Sequence, residues 1–320
     1  MTDQLQPLAR TALAEPRRED PNAELVYESG LEIKARGQWA YARMRFVRHR
    51  LAMGSLVVLV IILGAGVLAR WVAPYSFEGL DLTAAGKGPT FHHWHIFGTD
   101  LLGRDYFSRV IYGIQTSEKV AFLVGGVSTV IGTFIGAVAG YYGGWIDNAL
   151  MRFTDLMLTL PLLAVLLTVS AFLGHGNELR VGFILAFLLW TQLARIVRAQ
   201  FLSLREKEFV EAARASGSGD LRIMFRHMLP NCLGPILVSA TLTIGTAILL
   251  EAFLSFLGFG IQPPTPALGK LIADGQDVSQ NMWWLVTFPG LTIVIIVLCI
   301  NFIGDGLRDA LDPTQRKVRA

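Results

Sequence analysis

Long stretches without charged residues dominate the pattern of hydrophobic and polar positions along this chain. Six of them, each 14 to 27 residues long, cover residues 51–69, 120–146, 156–177, 181–194, 227–250 and 278–304. A helix of about 20 apolar residues, rising about 1.5 Å per residue, crosses the roughly 30 Å hydrocarbon layer of a bilayer. The pattern therefore predicts an all-α polytopic membrane protein with six transmembrane helices.

Two uncharged stretches differ from the length or composition of a simple span. Residues 181–194 are few for a span, but Arg180, Arg195 and Arg198 have long stems that reach the interfaces, so we still predict a full span. The uncharged stretch 252–269 is interrupted by Gly and Pro residues, and we interpret it as a loop at the membrane edge.

A soluble protein with six buried helices is the alternative, but such helices carry a polar stripe that these stretches lack. A secretory signal peptide is not expected, because the first apolar run begins at residue 51 behind a long charged segment. We interpret this run as a retained span.

Composition agrees with a membrane protein and excludes several kinds of site. The chain is 52% hydrophobic and 17% charged, whereas about a quarter of the residues in soluble proteins are charged. A net charge of +3 is too small to indicate a nucleic-acid partner. The two cysteines, Cys232 and Cys299, both fall in predicted spans and cannot form a disulfide framework or a Cys-based zinc site. Neither Gly-Lys pair, 86–87 or 269–270, precedes a Ser or Thr, so we expect no ATPase phosphate loop and no cofactor bound by this chain.

The positive charges are unevenly distributed between alternate connections. Of the 28 Lys and Arg residues, 21 fall in segments 1–50, 141–156, 195–231 and 308–320, 6 fall in the other connections, and Lys119 lies at the mouth of the second span. Positive residues are enriched on the cytoplasmic side of membrane proteins. We therefore predict that both termini and the 195–231 loop face the cytoplasm.

The segments outside the five later spans have distinct compositions. Residues 1–33 combine prolines with many charges and predict a disordered cytoplasmic tail. Residues 34–50 interleave aromatic residues with Arg and predict a basic amphipathic segment on the lipid surface; RNA binding is the alternative, which the adjoining span disfavours. The remaining predicted divisions are a first span at 51–72, an extracytoplasmic loop at 73–118, a five-helix domain at 119–310 and a cytoplasmic tail at 311–320.

The loop at residues 200–231, between the fourth and fifth spans, carries the strongest functional signal. Helix-forming residues over 205–216 end at Gly217, a predicted left-handed stop. We predict a short helix displayed to another protein, because two small side chains permit close approach and a carboxylate fixes orientation. Its residues are Glu211, Ala212 and Ala213.

A second helix is predicted to follow this short one. Asp220 is the expected N-cap, and Pro230 is expected to end the helical pattern. One apolar face recurs at i, i+3, i+4, i+7 and i+8, formed by Leu221, Met224, Phe225, Met228 and Leu229.

These residues resemble a known motif. Glu211-Ala212-Ala213, then Gly217 and then Leu229-Pro230 are similar in spacing to the EAA loop of permease subunits in ATP-binding-cassette (ABC) importers. Two residues before Leu229, where the motif usually has an apolar residue, this chain has His227. This substitution is associated with the peptide-permease branch. Over roughly residues 35–315 the chain resembles the dipeptide, oligopeptide and nickel permease family, in particular its C-type subunit. The other residues that carry the resemblance are 95–100, 102–105, 108–109, 140–144, 151–152, Asp155, Glu251 and 254–258.

The resemblance implies a fold, a set of partners and a location. It implies the type I ABC importer permease fold and a non-catalytic subunit in the cytoplasmic membrane of a prokaryote. The implied partners are a second related permease subunit, two cytoplasmic ATPase subunits that use ATP and Mg²⁺, an extracytoplasmic solute-binding protein and membrane lipids. The helix around Glu211 would then contact one ATPase.

Several residues outside this loop are also candidates. Gly98, Asp100, Arg104 and Asp105 are expected in a folded outer turn that contacts the partner permease or the binding protein. Glu251 lies near the outer end of the fifth span, where a carboxylate in hydrocarbon costs roughly 2.5–3.5 kcal/mol. It should therefore face protein or water, and a structural role in the bundle and a role in the translocation path both remain open.

Charged and imidazole groups near the spans have weaker interpretations. Asp147, Arg152 and Asp155 lie beside the third span, with Arg152 and Asp155 at i, i+3, and we expect an ion pair or a partner contact. The three His residues within 91–95 suggest a metal site. We do not predict one, because neighbouring His side chains diverge and no nearby carboxylate completes a site.

Short peptides are the predicted cargo. The same machine carrying nickel or another small solute is one alternative. An ion-coupled secondary transporter acting alone is another, but such a protein usually shows an internal repeat and ionisable groups at the midplane of several spans, and the sequence shows neither.

Overall fold

A computed structural model describes residues 38–91, 94–174 and 176–311. The predicted tail at 1–33, the start of the 34–50 segment, His92, His93 and all but the first residue of the 311–320 tail lie outside the described residues.

Helices account for the regular structure, as the sequence predicts. Within the described ranges there is no strand, and two isolated bridges join Thr99 to Asp105 and Gly176 to Ile261. A short 3₁₀ turn covers Leu82–Ala84, and a π-helical turn covers Ile223–Met228. The α-helices are α1 Gln38–Arg48, α2 Arg50–Val67, α3 Ala69–Val72, α4 Tyr106–Tyr142, α5 Gly144–Thr159, α6 Leu162–Leu173, α7 Glu178–Arg205, α8 Glu208–Ala215, α9 Asp220–Arg222, α10 Leu229–Phe256, α11 Leu268–Gln276 and α12 Trp284–Leu311.

Five helical segments are long and apolar enough to span a bilayer, and the bent pair α5 and α6 is the sixth candidate. The two helices of this pair meet at 84°, since Pro161 follows the last turn of α5 and cannot continue it. The predicted third span, 156–177, is therefore broken.

Packing shows that the bent pair runs from one end of the bundle to the other. Gly132 of α4 lies against Trp190 of α7, and Gly140 lies against Phe201, so α4 and α7 run in the same direction. The chain between them must return, and it does so from Gly144 to Gly176. The six predicted crossings are thus present, with α1 and the end of α12 at the same end of the bundle as α8.

The observed spans differ from the uncharged stretches in their limits. The 37 residues of α4 correspond to about 55 Å, which exceeds the hydrocarbon thickness, and the helix begins at Tyr106 rather than near residue 120. The short stretch 181–194 lies in the 28-residue helix α7, so it forms a full span as predicted. The stretch 252–269 is only partly a loop, because its first residues complete α10 and its last residues begin α11.

Small residues set the closest helix contact. A Cβ at Gly132 would lie 2.7 Å from the Trp190 carbonyl oxygen, one at Gly140 would lie 2.6 Å from the Phe201 Cβ, and one at Gly136 would overlap the Ala194 carbonyl. Helices pack in membranes through such small residues because they let the backbones approach. The result is that α4 and α7 form a tightly joined pair that leads into α8.

A buried apolar cluster, here called the loop-end core, lies where α4 and α7 end. It contains the large side chains that hold the 200–231 loop to the bundle. Its members are Ala137, Tyr141, Leu193, Val197, Phe201, Val210, Ile223, Met224, Met228, Cys232 and Ile236.

Candidate functional site

The short helix α8 has one fully buried side chain, which anchors it to the bundle. Helix α7 ends at Arg205 and α8 begins at Glu208, so the predicted single segment 205–216 is broken by a two-residue turn. Val210 is fully buried in the loop-end core. Burying such a side chain stabilises the contact by about 1.5–3 kcal/mol, so Val210 fixes which face of α8 points away.

The outward face of α8 carries acidic side chains and small side chains. It consists of Glu208, Glu211, Ala212 and Ala215, which are all exposed and recur at i, i+3, i+4 and i+7. The carboxylates of Glu208 and Glu211 lie in the first turn, where they also complement the helix dipole.

The two predicted alanines face different surroundings. Ala212 is exposed, whereas Ala213 is partly buried and packs against the loop-end core. Only Ala212, beside Glu211, therefore offers the close approach that the sequence suggests for both.

A backbone cap ends α8 where a left-handed stop is predicted. Gly217 has φ +74°, and its N–H donates to the Arg214 carbonyl at 2.9 Å. The Ser218 N–H donates to the Ala213 carbonyl at 3.1 Å. This pair of hydrogen bonds is the Schellman motif, which favours glycine at the left-handed position.

Asp220 does not cap the next helix, so this prediction was wrong. The N-cap position is Gly219, and the Asp220 carboxylate accepts a 2.7 Å hydrogen bond from the Tyr141 hydroxyl of α4. The Arg214 guanidinium lies 5.5 Å from the centre of the Tyr141 ring, within range of a cation–π interaction. Tyr141 thus ties both sides of the α8 loop to α4, a tertiary contact without a local sequence signal.

The predicted apolar face of the second helix was also partly wrong. Leu221 and Phe225 are 68% and 51% exposed, whereas Ile223, Met224 and Met228 are buried. The cause is the π-helical turn at Ile223–Met228, whose wider turn changes which side chains point inward.

Pro230 does not end the helical pattern either. The chain stays helical from Asp220 to Phe256, with Leu229 half-buried against the loop-end core and Pro230 exposed. Proline lacks an N–H and clashes with the carbonyl four residues earlier. The π-turn immediately before it relaxes this conflict, and such turns are frequent at functional sites.

Two ion pairs join α5 to α7. Arg198 binds Asp147 through two hydrogen bonds of 2.5 and 2.6 Å, and Arg195 binds Asp155 at 2.5 Å. The observed pairs are therefore between helices and do not include the predicted i, i+3 neighbour Arg152, which is exposed. Arg195 and Arg198 have specific partners that the sequence order does not reveal.

The predicted outer turn is folded, and its polar side chains hold it together. Asp100 binds Arg104 at 2.6 Å and the buried Arg109 at 2.8 Å. Asp105 is 2% exposed, caps α4 through the Ser108 N–H at 2.8 Å, and lies 2.8 Å from His95 Nδ1. These contacts support a role for Asp100 and Asp105 within the turn and leave Arg104 more accessible.

Glycines shape the same turn. Gly98 and Gly103 both have positive φ, +76° and +72°. A side chain at Gly98 would come within 2.8 Å of the Lys87 carbonyl, and one at Gly103 would overlap Asp81. At Asp81, hydrogen bonds from the Thr83 hydroxyl and N–H hold the carboxylate pKa below its usual range.

Glu251 faces protein. It is fully buried between α10 and α4 and accepts hydrogen bonds from Ser117 at 2.7 Å and Ser255 at 2.8 Å. The Ser255 hydroxyl also accepts from the Ile261 N–H at 3.3 Å. Glu251 thus connects α4 to the loop after α10, and this placement supports a structural role in the bundle.

A metal site finds no support among the described residues, where no group of three His, Cys, Asp or Glu side chains could hold an ion. The ring of His95 stacks on Tyr75 at 5.0 Å and is paired with Asp105. His92 and His93 lie outside the described residues.

Comparisons with known proteins bear on both halves of the chain. Residues 132–317, which include α8, match the family described as binding-protein-dependent transport system inner membrane component. Residues 37–89 match the N-terminal transmembrane domain of oligopeptide transport permease C.

Individual relatives align over most of their length. A dipeptide transport system permease protein of Alkalihalophilus pseudofirmus is 40% identical over 87% of this chain and 90% of its own. An oligopeptide transport system permease protein of Haemophilus influenzae is 38% identical over 89% of this chain and 92% of its own. A putative peptide transport system permease protein of Brucella abortus is 43% identical over 84% and 90%.

Proposed function

The chain belongs to the binding-protein-dependent transport system inner membrane component family, and on that premise we propose that it forms the peptide-conducting path of an ABC importer together with partner subunits. It is a non-catalytic membrane subunit. The observation that carries the proposal is α8, a short helix whose acidic, small outward face is fixed by Val210 and by the cap at Gly217.

We propose that α8 binds in a cleft of a cytoplasmic ATPase subunit. Glu211 and Ala212 would contact the ATPase, while Ala213 and Leu229 hold the loop in place from the bundle side. Because α7 leads into α8 and packs tightly on α4, a force on α8 reaches two spanning helices directly. Movement of helices between two packings is a common way to switch a transporter.

Charge supports the orientation of the chain in the membrane, and the family supports the proposed partners. The excess of Lys and Arg at the α8 end favours a cytoplasmic location for that end and for both chain termini, in the inner membrane. We propose a second homologous permease, two ATPases that use ATP and Mg²⁺, and an extracytoplasmic binding protein as partners. The outer turn around Arg104 is the surface we assign to the permease or binding protein, and we assign Glu251, which is fully buried, to a structural role beside the translocation path.

The peptide cargo rests on the relatives. Their names specify dipeptide, oligopeptide or peptide transport, and their alignments cover 84–89% of this chain. We propose short peptides as the substrate class.

Charge reversal on the outward face of α8 tests this function. We expect Glu211→Lys to abolish ATP-driven peptide uptake in proteoliposomes that contain the complete complex, because it places a cation where the ATPase receives a carboxylate. The same variant should co-purify less ATPase while the level of the permease in the membrane stays unchanged.

Glu206→Lys is the matched control. Glu206 is also exposed, with its side chain 71% accessible, but it lies before α8 and not on its outward face. Uptake and ATPase binding should survive this change. Normal uptake by the Glu211→Lys complex, or peptide transport by this chain alone on an ion gradient, would refute the proposal.

A further inference from the structure

One side chain at the end of α4 contacts three elements around the 200–231 loop. Tyr141 is 5% exposed and belongs to the loop-end core. Its hydroxyl donates to Asp220 of α9 at 2.7 Å, and its ring centre lies 5.5 Å from the guanidinium carbon of Arg214 in α8. Its backbone carbonyl accepts from the guanidinium of Arg205, the last residue of α7, at 3.5 Å. These four residues are here called the Tyr141 joint.

The joint differs in kind from the apolar contacts of α8. Val210 and Ala213 attach α8 to the loop-end core by apolar packing, which is non-directional. Such packing resists removal of the helix more than its rotation. A hydrogen bond weakens steeply as its angle changes. The bond from Tyr141 to Asp220 therefore resists a rotation that the apolar contacts permit.

The two loop partners of Tyr141 lie on either side of the cap that ends α8. Arg214 is in the last turn of α8, Gly217 forms the left-handed cap, and Asp220 begins α9. Arg214 and Asp220 are exposed, whereas Tyr141 is buried. One side chain of α4 thus holds the chain before and after the cap, so the end of α8 must follow the end of α4.

We propose that Tyr141 is a positioning residue that makes α8 and α4 move as one unit. This inference rests on the proposed function, since it takes α8 as the contact with the ATPase. With the joint intact, a displacement of α8 reaches α4 directly as well as through α7. Without it, α8 can rotate about Val210, and part of the ATPase movement is lost in that rotation. The ATPase then still binds and hydrolyses ATP, but each turnover transports less peptide.

The ratio of peptide uptake to ATP hydrolysis tests the joint. Both rates are measured in the same proteoliposomes, which contain the complete complex and peptide-loaded binding protein. Tyr141→Phe keeps the ring beside Arg214 and removes only the hydroxyl. One hydrogen bond changes an equilibrium by about fivefold, so we expect about fivefold less uptake per ATP hydrolysed. The amount of co-purified ATPase should stay unchanged, because the outward face of α8 is intact.

Further variants identify the bond that is responsible. Asp220→Asn keeps an acceptor oxygen and should keep the ratio, whereas Asp220→Ala should lower it as Tyr141→Phe does. Because the two residues act as a pair, combining Tyr141→Phe with Asp220→Ala should add no further loss. Tyr142→Phe is the matched control, since it removes a hydroxyl from the neighbouring position, which is 46% exposed. Asp220→Ala alters an exposed side chain, so it carries the test if the Tyr141→Phe complex does not assemble.

Several outcomes would overturn the role of Tyr141. These are an unchanged ratio in Tyr141→Phe and Asp220→Ala, an equal loss in Tyr142→Phe, additive losses in the double variant, or a fall in uptake that only matches a fall in bound ATPase. Normal uptake by Glu211→Lys would refute the proposed function itself. If Glu211→Lys abolishes uptake while Tyr141→Phe keeps a normal ratio, only the role of Tyr141 fails.

Discussion

At the scale of single residues, neighbouring positions with similar chemistry have different tasks. Ala212 and Ala213 are adjacent and identical, yet one faces away from the bundle and the other packs on the loop-end core. Gly217 and Gly219 are both in the α8 loop, but only Gly217 has positive φ. The role of each residue depends on the direction in which it points from the backbone. The buried Val210 sets this direction for the residues of α8.

The cap at Gly217 can be tested by one methyl group. Neither Gly217 nor Gly219 has any atom within 4 Å of an added Cβ, so an alanine at either position meets no steric clash. Gly217→Ala must hold a left-handed conformation, which costs about 1 kcal/mol. We expect about fivefold faster hydrogen exchange at the amides of residues 213–218, measured by mass spectrometry on the complex.

Gly219→Ala is the control for this prediction. Its φ of −69° suits any residue, so exchange should be unchanged. Equal exchange in the two variants would contradict the role of the left-handed cap.

At the scale of elements, the contact of α4 with α7 determines how α8 is attached to the spanning helices. The glycines of α4 allow the α7 backbone to approach closely. Only two residues separate the end of α7 from the start of α8. The ion pairs from α5 to Arg195 and Arg198 attach the bent third crossing to the same helix. Two other crossings, α4 and the bent pair, therefore contact α7.

A Gly-to-Ala pair on α4 tests this contact. A Cβ at Gly136 would overlap the Ala194 carbonyl, and we expect Gly136→Ala to lower the free energy of unfolding by about 1–3 kcal/mol through overpacking. Gly126 has no atom within 4 Å, so Gly126→Ala should raise it by about 0.5–1 kcal/mol, the usual gain in a helix. Denaturant titration in mixed micelles measures both, and a stabilised Gly136→Ala chain would show that the helices are not in close contact there.

At the scale of the whole molecule, six crossings place both ends of the described chain beside α8. Without the bent pair, α4 and α7 could not run in the same direction, and α1 would lie on the opposite side of the membrane from α8. The parallel course of α4 and α7 therefore decides the topology.

Cysteine labelling in oriented vesicles tests this arrangement. Cys232 and Cys299 are buried and are first replaced by Ala. Single cysteines are then placed at exposed positions of both ends. With a membrane-impermeant maleimide we expect labelling in inside-out vesicles at Arg43, Ser216 and Asp309, and in right-side-out vesicles at Glu78 and Asp277. Labelling of Arg43→Cys and Ser216→Cys from opposite sides would contradict six crossings.

The sequence by itself determined the parts of this protein that depend on local chemistry. Uncharged length predicts the spanning helices because hydrocarbon does not tolerate charge, and glycine at residue 217 predicts a left-handed stop because it has no Cβ. The spacing from Glu211-Ala212-Ala213 to Gly217 and to Leu229-Pro230 was the pattern that indicated the family.

Only the tertiary structure decided the features that depend on contacts between distant residues. Asp220 bonds to Tyr141, 79 residues away, and Asp147 pairs with Arg198, 51 residues away, because helices that are remote in sequence are adjacent in the bundle. The π-turn before Pro230 and the 84° bend after α5 changed which side chains face inward. The spacing of apolar residues predicts the buried face of a helix only if the helix is regular. It therefore cannot predict which side chains face inward where packing introduces a π-turn or a bend.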